Sequence, residues 1–557
     1  MKRFKIDPKA VKARDELVRE AHFQYSQNRI SRREFLRFTA SLGGGALAMS
    51  LLPTMDKLAL KSARAKQDMS PQRGGHLASA LGISTDRFDD PAKLSLVFPS
   101  NNVRQVCDYL VTLDPNLTLQ PSLATSWTPS ADGLTWTLTL REGVTFNHGK
   151  PFNADDVVFT INRLIDPDTA SGWRGAVNYV TGIEKVDDYT VNIFTNRVAA
   201  DFIYSLFLYQ AAILPADWPG DFFANPWGTG PFVVEEFSPA EYIRFRRRED
   251  YWQMGADGSS LPYLDSVEFD SYADEAARFS ALQEGALHLA PASITLRDQY
   301  AALPDFDFRT VQTGNLHIAI MQSDQEPWNI PEMREAMKLM VNRQAYADTL
   351  YLGFAIAGDD HPIAPGMYPL APENQTPRQQ DYDQVRALLA QAGYPNGIDI
   401  TVPYIDAASD GGFAEGFAQF LVSQAEPAGV RMTLAPNPSF WDTWLSEWGP
   451  NVIAVSNWAQ KNTASEMFNL AYYSKGVWNE SRWANAEFDA LLEQFDSTLD
   501  QEARRGQLAQ LCDLISDEGS VIIPGFRQDA AVVHRSVHYN LHPQAYVWFG
   551  DAWIEQP

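Results

Sequence analysis

Three tryptophans in the C-terminal quarter of the chain stand in polar company suited to recognition. Trp458 follows Asn457, Trp478 precedes Asn479-Glu480, and Trp483 follows Arg482. An indole face suits a sugar ring, a peptide side chain or an organic cation, and Asn479 and Glu480 would add hydrogen bonds or one negative charge. Each indole could equally be core. Trp441, Trp444 and Trp448 have the i, i+3, i+7 spacing of a helix that packs its indoles inward. His361, in Asp359-Asp360-His361-Pro362, lies in a loop that could reach a cleft or stay on the surface. Motifs for covalent chemistry are absent: there is no Cys-x-x-Cys, no His-Glu-x-x-His and no Gly-x-Ser-x-Gly, and the nine histidines lack ligand spacing. Gly228-Thr229-Gly230 lacks the third glycine of a dinucleotide loop. Carboxylates are so abundant that no glycosidase-like pair stands out. These residue types favour binding over reaction, with no cofactor and no metal.

A frame of strands and helices must position them. Residues 74–80 are predicted as a strand and 101–111 as a helix. Residues 134–140 alternate polar and apolar side chains as a half-buried strand does, and Asn153-Ala154-Asp155-Asp156 caps a helix through Val157, Val158, Ile161 and Leu164. Residues 191–194 form another strand. After Gly228-Thr229-Gly230-Pro231, residues 232–237 and 242–246 make a hairpin that turns at Ser238-Pro239. Met333, Met337, Met340 and Val341 share one helical face, the spacing of ordinary core. Further helices are predicted over 382–392, 487–499 and 504–516. Strands mixed with helices along the whole length indicate an α/β protein without internal repeats.

At 557 residues, two or three domains are expected. The formal charge is -25, unevenly spread: residues 1–65 hold 14 Lys and Arg against 6 Asp and Glu, so the rest carries -33. So acidic a body repels nucleic acid and anionic membranes, and 45% hydrophobic residues exclude wholesale disorder. The basic segment contains Arg32-Arg33 ahead of a Gly-rich, weakly apolar stretch over 38–52, which resembles a twin-arginine export signal and is too short to span a bilayer. Ala63-Arg64-Ala65 has the small-x-small form of a cleavage site, leaving Lys66 first. No cysteine lies nearby to carry a lipid, so a soluble periplasmic product of the twin-arginine machinery is expected. Cys107 and Cys512 are either buried free thiols or a disulfide, which an oxidising compartment permits.

Four separated segments, in order, resemble one family. They are 140–159 (Leu140-Arg141-Glu142-Gly143 through Phe152-Asn153-Ala154-Asp155-Asp156), 228–252 (Gly228-Thr229-Gly230-Pro231 to Tyr251-Trp252), 333–343 (Met333-Arg334-Glu335-Ala336 to Asn342-Arg343) and 382–397 (ending Gly393-Tyr394-Pro395-Asn396-Gly397). The chain is identified as similar to the extracytoplasmic solute-binding proteins of ABC importers, family 5, of the dipeptide, oligopeptide and nickel class. That resemblance implies a bilobed periplasmic-binding-protein clamp, class II-like and of the peptide-binding type, with an extra inserted domain. Lobe I would comprise 72–112, 216–315 and 518–557, the inserted domain 113–215 and lobe II 316–517, after a signal peptide over 1–65. Crossings near 315 and 517 would form the hinge. The implied function is capture of a peptide-like or related polar solute and its delivery to the permease by a monomer that is not an enzyme. An oligosaccharide or opine-like ligand is the alternative within this fold; a secreted hydrolase or a periplasmic signalling receptor is the alternative in another class. Many members have Asp three residues after a lobe II Trp, pairing with a peptide's amino terminus; in Trp458-Ala459-Gln460-Lys461-Asn462-Thr463 that place is held by Lys461. Lys461 would meet a ligand carboxylate or phosphate, or face solvent. The resulting candidate ligand residues are Asn457, Trp458, Lys461, Thr463, Trp478, Asn479, Glu480, Trp483 and His361.

Overall fold

The computed structural model describes residues 70–81, 90–94, 97–272, 274–372, 375–406 and 412–556. Arg32, Arg33 and the expected cleavage site lie outside them. Residues 72–557 form one compact unit, and among the described residues no helix is long and apolar enough to cross a membrane.

A mixed twelve-stranded sheet runs through that unit. Its main path is Val430–Asn437, Ile398–Ile405, Ala454–Trp458, Phe306–Ile320, Gly525–His534, Leu289–Ala292, His76–Ser79, Ser266–Asp270, Tyr242–Arg247 and Phe232–Ser238. The two long central strands join its halves. Phe306–Ile320 pairs with Gly525–His534 through residue 312, shifts register between Gln312 and Leu316, and then pairs with Ala454–Trp458 through Leu316 to Ile320. Val521 and Ile522 pair with Ile320 and Ala319 just before strand Gly525–His534 begins. Thr313 braces the two long strands at the register shift, its hydroxyl donating to the Arg527 carbonyl at 2.7 Å.

A separate antiparallel sheet, in the order Ala124–Pro129, Thr135–Leu140, Thr190–Thr195 and Val180–Asp187, carries the alternating segment. Trp136, Leu138 and Leu140 point inward while Thr137 and Thr139 face water, because successive side chains leave a strand on opposite faces. Helix Ala154–Ile165 covers this sheet and starts with a reciprocal cap between Asn153 and Asp156.

The helix expected over 101–111 is Val97–Val106, and Val111–Leu113 is a strand. Its end is set from outside. The Gly230 N–H donates to the Val106 carbonyl at 2.8 Å, and a Cβ on Gly228 would stand 2.1 Å from that oxygen. Just beyond, the buried Asp108 carboxylate accepts from Thr229, Tyr251 and Trp252. The Gly228-Thr229-Gly230 motif therefore serves close backbone packing. Met333, Met337, Met340 and Val341 are fully buried, and Cys107 and Cys512 are buried free thiols.

Candidate functional site

Strand Ala454–Trp458 ends at Trp458, and the loop after it is pinned to the register shift of the crossing strand. The Gly314 N–H donates to Gln460 Oε1 at 2.6 Å, and the Gln460 N–H donates to Asn315 Oδ1 at 2.9 Å. Thr463 then caps helix Ala464–Ala471, its hydroxyl accepting from the Glu466 N–H at 3.1 Å. Trp458 and Lys461 are thus held between the crossing strands and a capped helix.

Around Trp458 the indoles form a chain. Trp458 and Trp478 have centroids 5.8 Å apart, Trp478 and Trp444 6.3 Å, and Trp444 and Trp441 5.6 Å. The helix expected to bury Trp441, Trp444 and Trp448 is a single turn, Phe440–Thr443, and Trp441 is half exposed; only one turn forms, so the i, i+7 spacing has no helix to act on. Lys461 Nζ lies over two of the rings, 5.5 Å from Trp458 and 5.2 Å from Trp478. Among the described residues no carboxylate lies within ion-pair distance of it. The backbone here is held from the other half of the molecule: Gln544 donates to the Lys461 carbonyl and Asn462 Oδ1, and Tyr546 to Asn462 Oδ1. Segment 544–549 is in turn bonded to helix Val97–Val106 through Asn101 and Gln105.

Glu480 backs this cage. It is 3% exposed; one oxygen accepts from Trp458 Nε1 at 2.8 Å and the other has no partner. Burial pushes its carboxyl up to about 8. A carboxyl that holds its proton longer when folded stabilises the fold most below its ordinary pKa near 4.5, and that stability is lost as pH rises through about 8. Glu480→Gln, which keeps the acceptor for Trp458, should abolish this loss and stabilise the protein at pH 9 by on the order of 2–4 kcal/mol in urea unfolding. Equal pH slopes for the two proteins would refute that assignment.

Beside the cage lies a cavity of about 320 Å³, at the small end of the range for ligand sites. One wall is Tyr179, Arg197, Asp201 and Tyr204, from beside the four-stranded sheet; the other is Asn462, Thr463, Glu466, Asn469, Tyr473 and Asp496. A fork of Arg504 on both oxygens of Asp201, at 2.6 and 2.7 Å, and the Ala200 N–H on the Asp496 carbonyl at 2.9 Å clamp the walls together. Burial pushes the Glu466 and Asp496 carboxyls up, the Lys461 charge drawing Glu466 partly back.

The family model for bacterial extracellular solute-binding proteins, family 5 middle, matches residues 118–480, well over half of the chain. The chain belongs to family 5 of the bacterial extracellular solute-binding proteins. A family 5 relative in curated collections is the heme-binding protein A of Haemophilus influenzae, 27% identical over 438 residues, which cover 72% of this chain and 78% of that protein. Another is the glutathione-binding protein GsiB of Salmonella typhimurium, 27% identical over 390 residues, covering 66% and 74%. The fold matches that of the ABC transporter-associated periplasmic binding protein DppA from Helicobacter pylori, solved with the peptide STSA. The TM-score is 0.70 at 22% identity, over 87% of this chain and 99% of that one. This family 5 chain therefore has the bilobed α/β fold of periplasmic binding proteins.

The structure brings Trp458, Lys461, Trp478 and Glu480 together, and Thr463 lines the adjacent cavity. Asn457 is a half-buried strand residue opposite His317. Asn479 shapes its own loop, donating to the carbonyls of Tyr473 and Trp483. Trp483 is buried against Phe488, centroids 5.2 Å apart. His361 is buried beside the Arg343–Asp360 pair, and burial pulls its imidazole down to about 4, so it is neutral. The far wall escaped sequence reading: Tyr179, Asp201 and Tyr204 lie some 250 residues or more from the residues they face, and no local pattern marks them.

Proposed function

We propose that this chain is the periplasmic solute-binding component of an ABC importer, exported through the twin-arginine route, acting as a monomer and releasing its ligand chemically unchanged. The solute is peptide-like or a related polar organic molecule bearing an acidic group. The observation that carries this reading is the Lys461 ammonium, seated over Trp458 and Trp478 with no ion-pair partner among the described residues, where the two halves of the molecule meet. A carboxylate there gains a charge-assisted hydrogen bond, and the indoles offer flat apolar faces to the rest of the solute. Among the described residues no carboxylate forms an ion pair with this ammonium, although its charge is felt by Glu466. Solute that bridges the halves favours the closed arrangement by its differential affinity, and the closed form is what docks on the permease.

Titration with peptides, opine-like acids and oligosaccharides tests this. A true ligand raises stability by mass action, about 2.7 kcal/mol at a hundredfold excess over Kd. No stabilisation by any acidic organic solute would overturn the proposal.

A further inference from the structure

The Arg504–Asp201 fork joins parts of the chain 303 residues apart. Both side chains are largely out of water, 7% and 15% exposed, and two N–H···O bonds fix their relative position more narrowly than one contact could. Each end is anchored in its own half of the molecule. On the Asp201 side, the Ile213 N–H donates to the Asp108 carbonyl at 3.1 Å, the Tyr109 hydroxyl to the Tyr209 carbonyl at 3.2 Å and Arg104 to the Phe207 carbonyl at 3.3 Å. These bonds tie the segment to helix Val97–Val106 and the residues after it. On the other side, Arg504 lies over the Phe495 ring at 4.3 Å. Its helix, Gln501–Glu518, takes the Lys338 ammonium on the Ser516 carbonyl, and Arg505 donates to the Pro369 carbonyl. Arg504 is not among the residues that line the cavity.

The seam beside the fork is closed without being saturated. Arg504 Nε is buried with no hydrogen-bond partner, and so are Asn462 Nδ2 and Gln544 Oε1, where Gln544 and Tyr546 reach across to Asn462 Oδ1 at 2.7 and 3.2 Å. Between those two residues Ala545 holds φ at 54°, a left-handed conformation unfavourable for a residue with a Cβ. Opening the seam would hydrate the unpartnered groups and break the fork. The unsatisfied groups favour opening, and the desolvated, two-pronged pair opposes it. With contributions of opposite sign side by side, one pair can set the balance.

We infer that the Arg504–Asp201 fork is a closure latch: Arg504 sets the affinity and residence time of the solute without touching it, by fixing the share of solute-free protein in which the halves are already together. The inference rests on the proposed function, which supplies a solute bound between the halves. A solute that needs the closed form binds with an apparent affinity reduced by the closed fraction. Removing Arg504 strands the Asp201 charge in the closed form, whereas the open form hydrates it, so the population moves towards open.

Small-angle X-ray scattering of the solute-free full chain, and native mass spectrometry with a randomised mixture of dipeptides and tripeptides, test this. They compare wild-type protein with Arg504→Met and with the double variant Arg504→Met/Asp201→Asn. Arg504→Met keeps an apolar stem against Phe495; it should enlarge the radius of gyration and weaken retention of the peptides about tenfold or more, chiefly through faster release. The double variant leaves no charge stranded and should return towards the wild-type radius and retention. An unchanged radius of gyration in Arg504→Met, with only a lower melting temperature, would assign the fork to static packing and overturn the latch. Unchanged retention of peptides that wild-type protein binds would overturn it too. Failure of the mixture to bind even wild-type protein would strike at the peptide-like reading instead, and the scattering arm would still decide the latch.

Discussion

Lys461→Ala should weaken binding of the acidic solute about 30-fold or more, since truncating one partner of a desolvated, hydrogen-bonded charge pair costs about 2–5 kcal/mol. Lys461→Glu should abolish it by setting like charges together. The ammonium makes no ion pair among the described residues and lies over Trp458 and Trp478, so its removal breaks no ion pair and the melting temperature of the free protein should barely move. Lys461→Arg should recover part of the affinity. Calorimetric titration of the three variants checks this, and an affinity for acidic ligands unchanged in Lys461→Ala would assign the lysine to the solvated surface.

The largest effect on stability should come from Asp360→Ala. Asp360 is fully buried and accepts from Arg343 Nη2, from Arg378 Nε at 3.1 Å and from the Ile523 N–H at 3.0 Å. Arg343 is buried, and its two terminal nitrogens also donate to the carbonyls of Lys338, Val341 and Arg378. Close by, the buried Lys338 ammonium donates to Ser516 O at 2.7 Å, with Ile515 O and Asp517 O also in reach, all at the C-terminal end of helix Gln501–Glu518. The negative end of the helix dipole suits a cation there, yet burial still pulls Lys338 down to about 8. Removing Asp360 would leave two guanidinium groups and this ammonium without their shared buried anion. A loss on the order of 3–5 kcal/mol in urea unfolding is expected, and a loss below about 1 kcal/mol would show that the network is not what secures this region. Because Asp360 holds Ile523, just before the central strand Gly525–His534, the variant should also loosen the join between the two halves of the sheet.

How legible this molecule was in its sequence follows from the range of the forces involved. The alternation of 134–140, the Asn153 cap and the methionine face are local signals, and each appears in the fold where the period or the cap requires it. The helix expected to run to 111 stops at Val106 because Gly230, 124 residues away, takes its carbonyl. That is a tertiary contact, which no local pattern records. Trp444 and Trp448 pack against the core as their spacing suggests, but Trp441 is half exposed because a single turn forms, and Trp441 and Trp444 extend the Trp458 and Trp478 chain. Trp458, Lys461 and Glu480 were visible as a segment of chemistry. The cavity was not, because Glu466 reads as the fourth residue of a capping motif and Tyr179 and Tyr204 on the facing wall lie more than 250 residues away in the chain. Polar surroundings also misled at Trp483, whose neighbours Asn479 and Ser481 are polar because they close a loop over a buried ring.

The central claim is that the chain carries an acidic organic solute between its two halves and returns it intact. Native mass spectrometry of protein purified without refolding tests this most directly. The account predicts a protein mass above that of the bare chain by one small molecule. Mild denaturation should release that molecule as a species bearing an acidic group, and prolonged incubation with the protein should leave its mass unchanged. A bare mass that no peptide or acidic solute shifts would contradict it, and so would a bound molecule recovered as cleavage products.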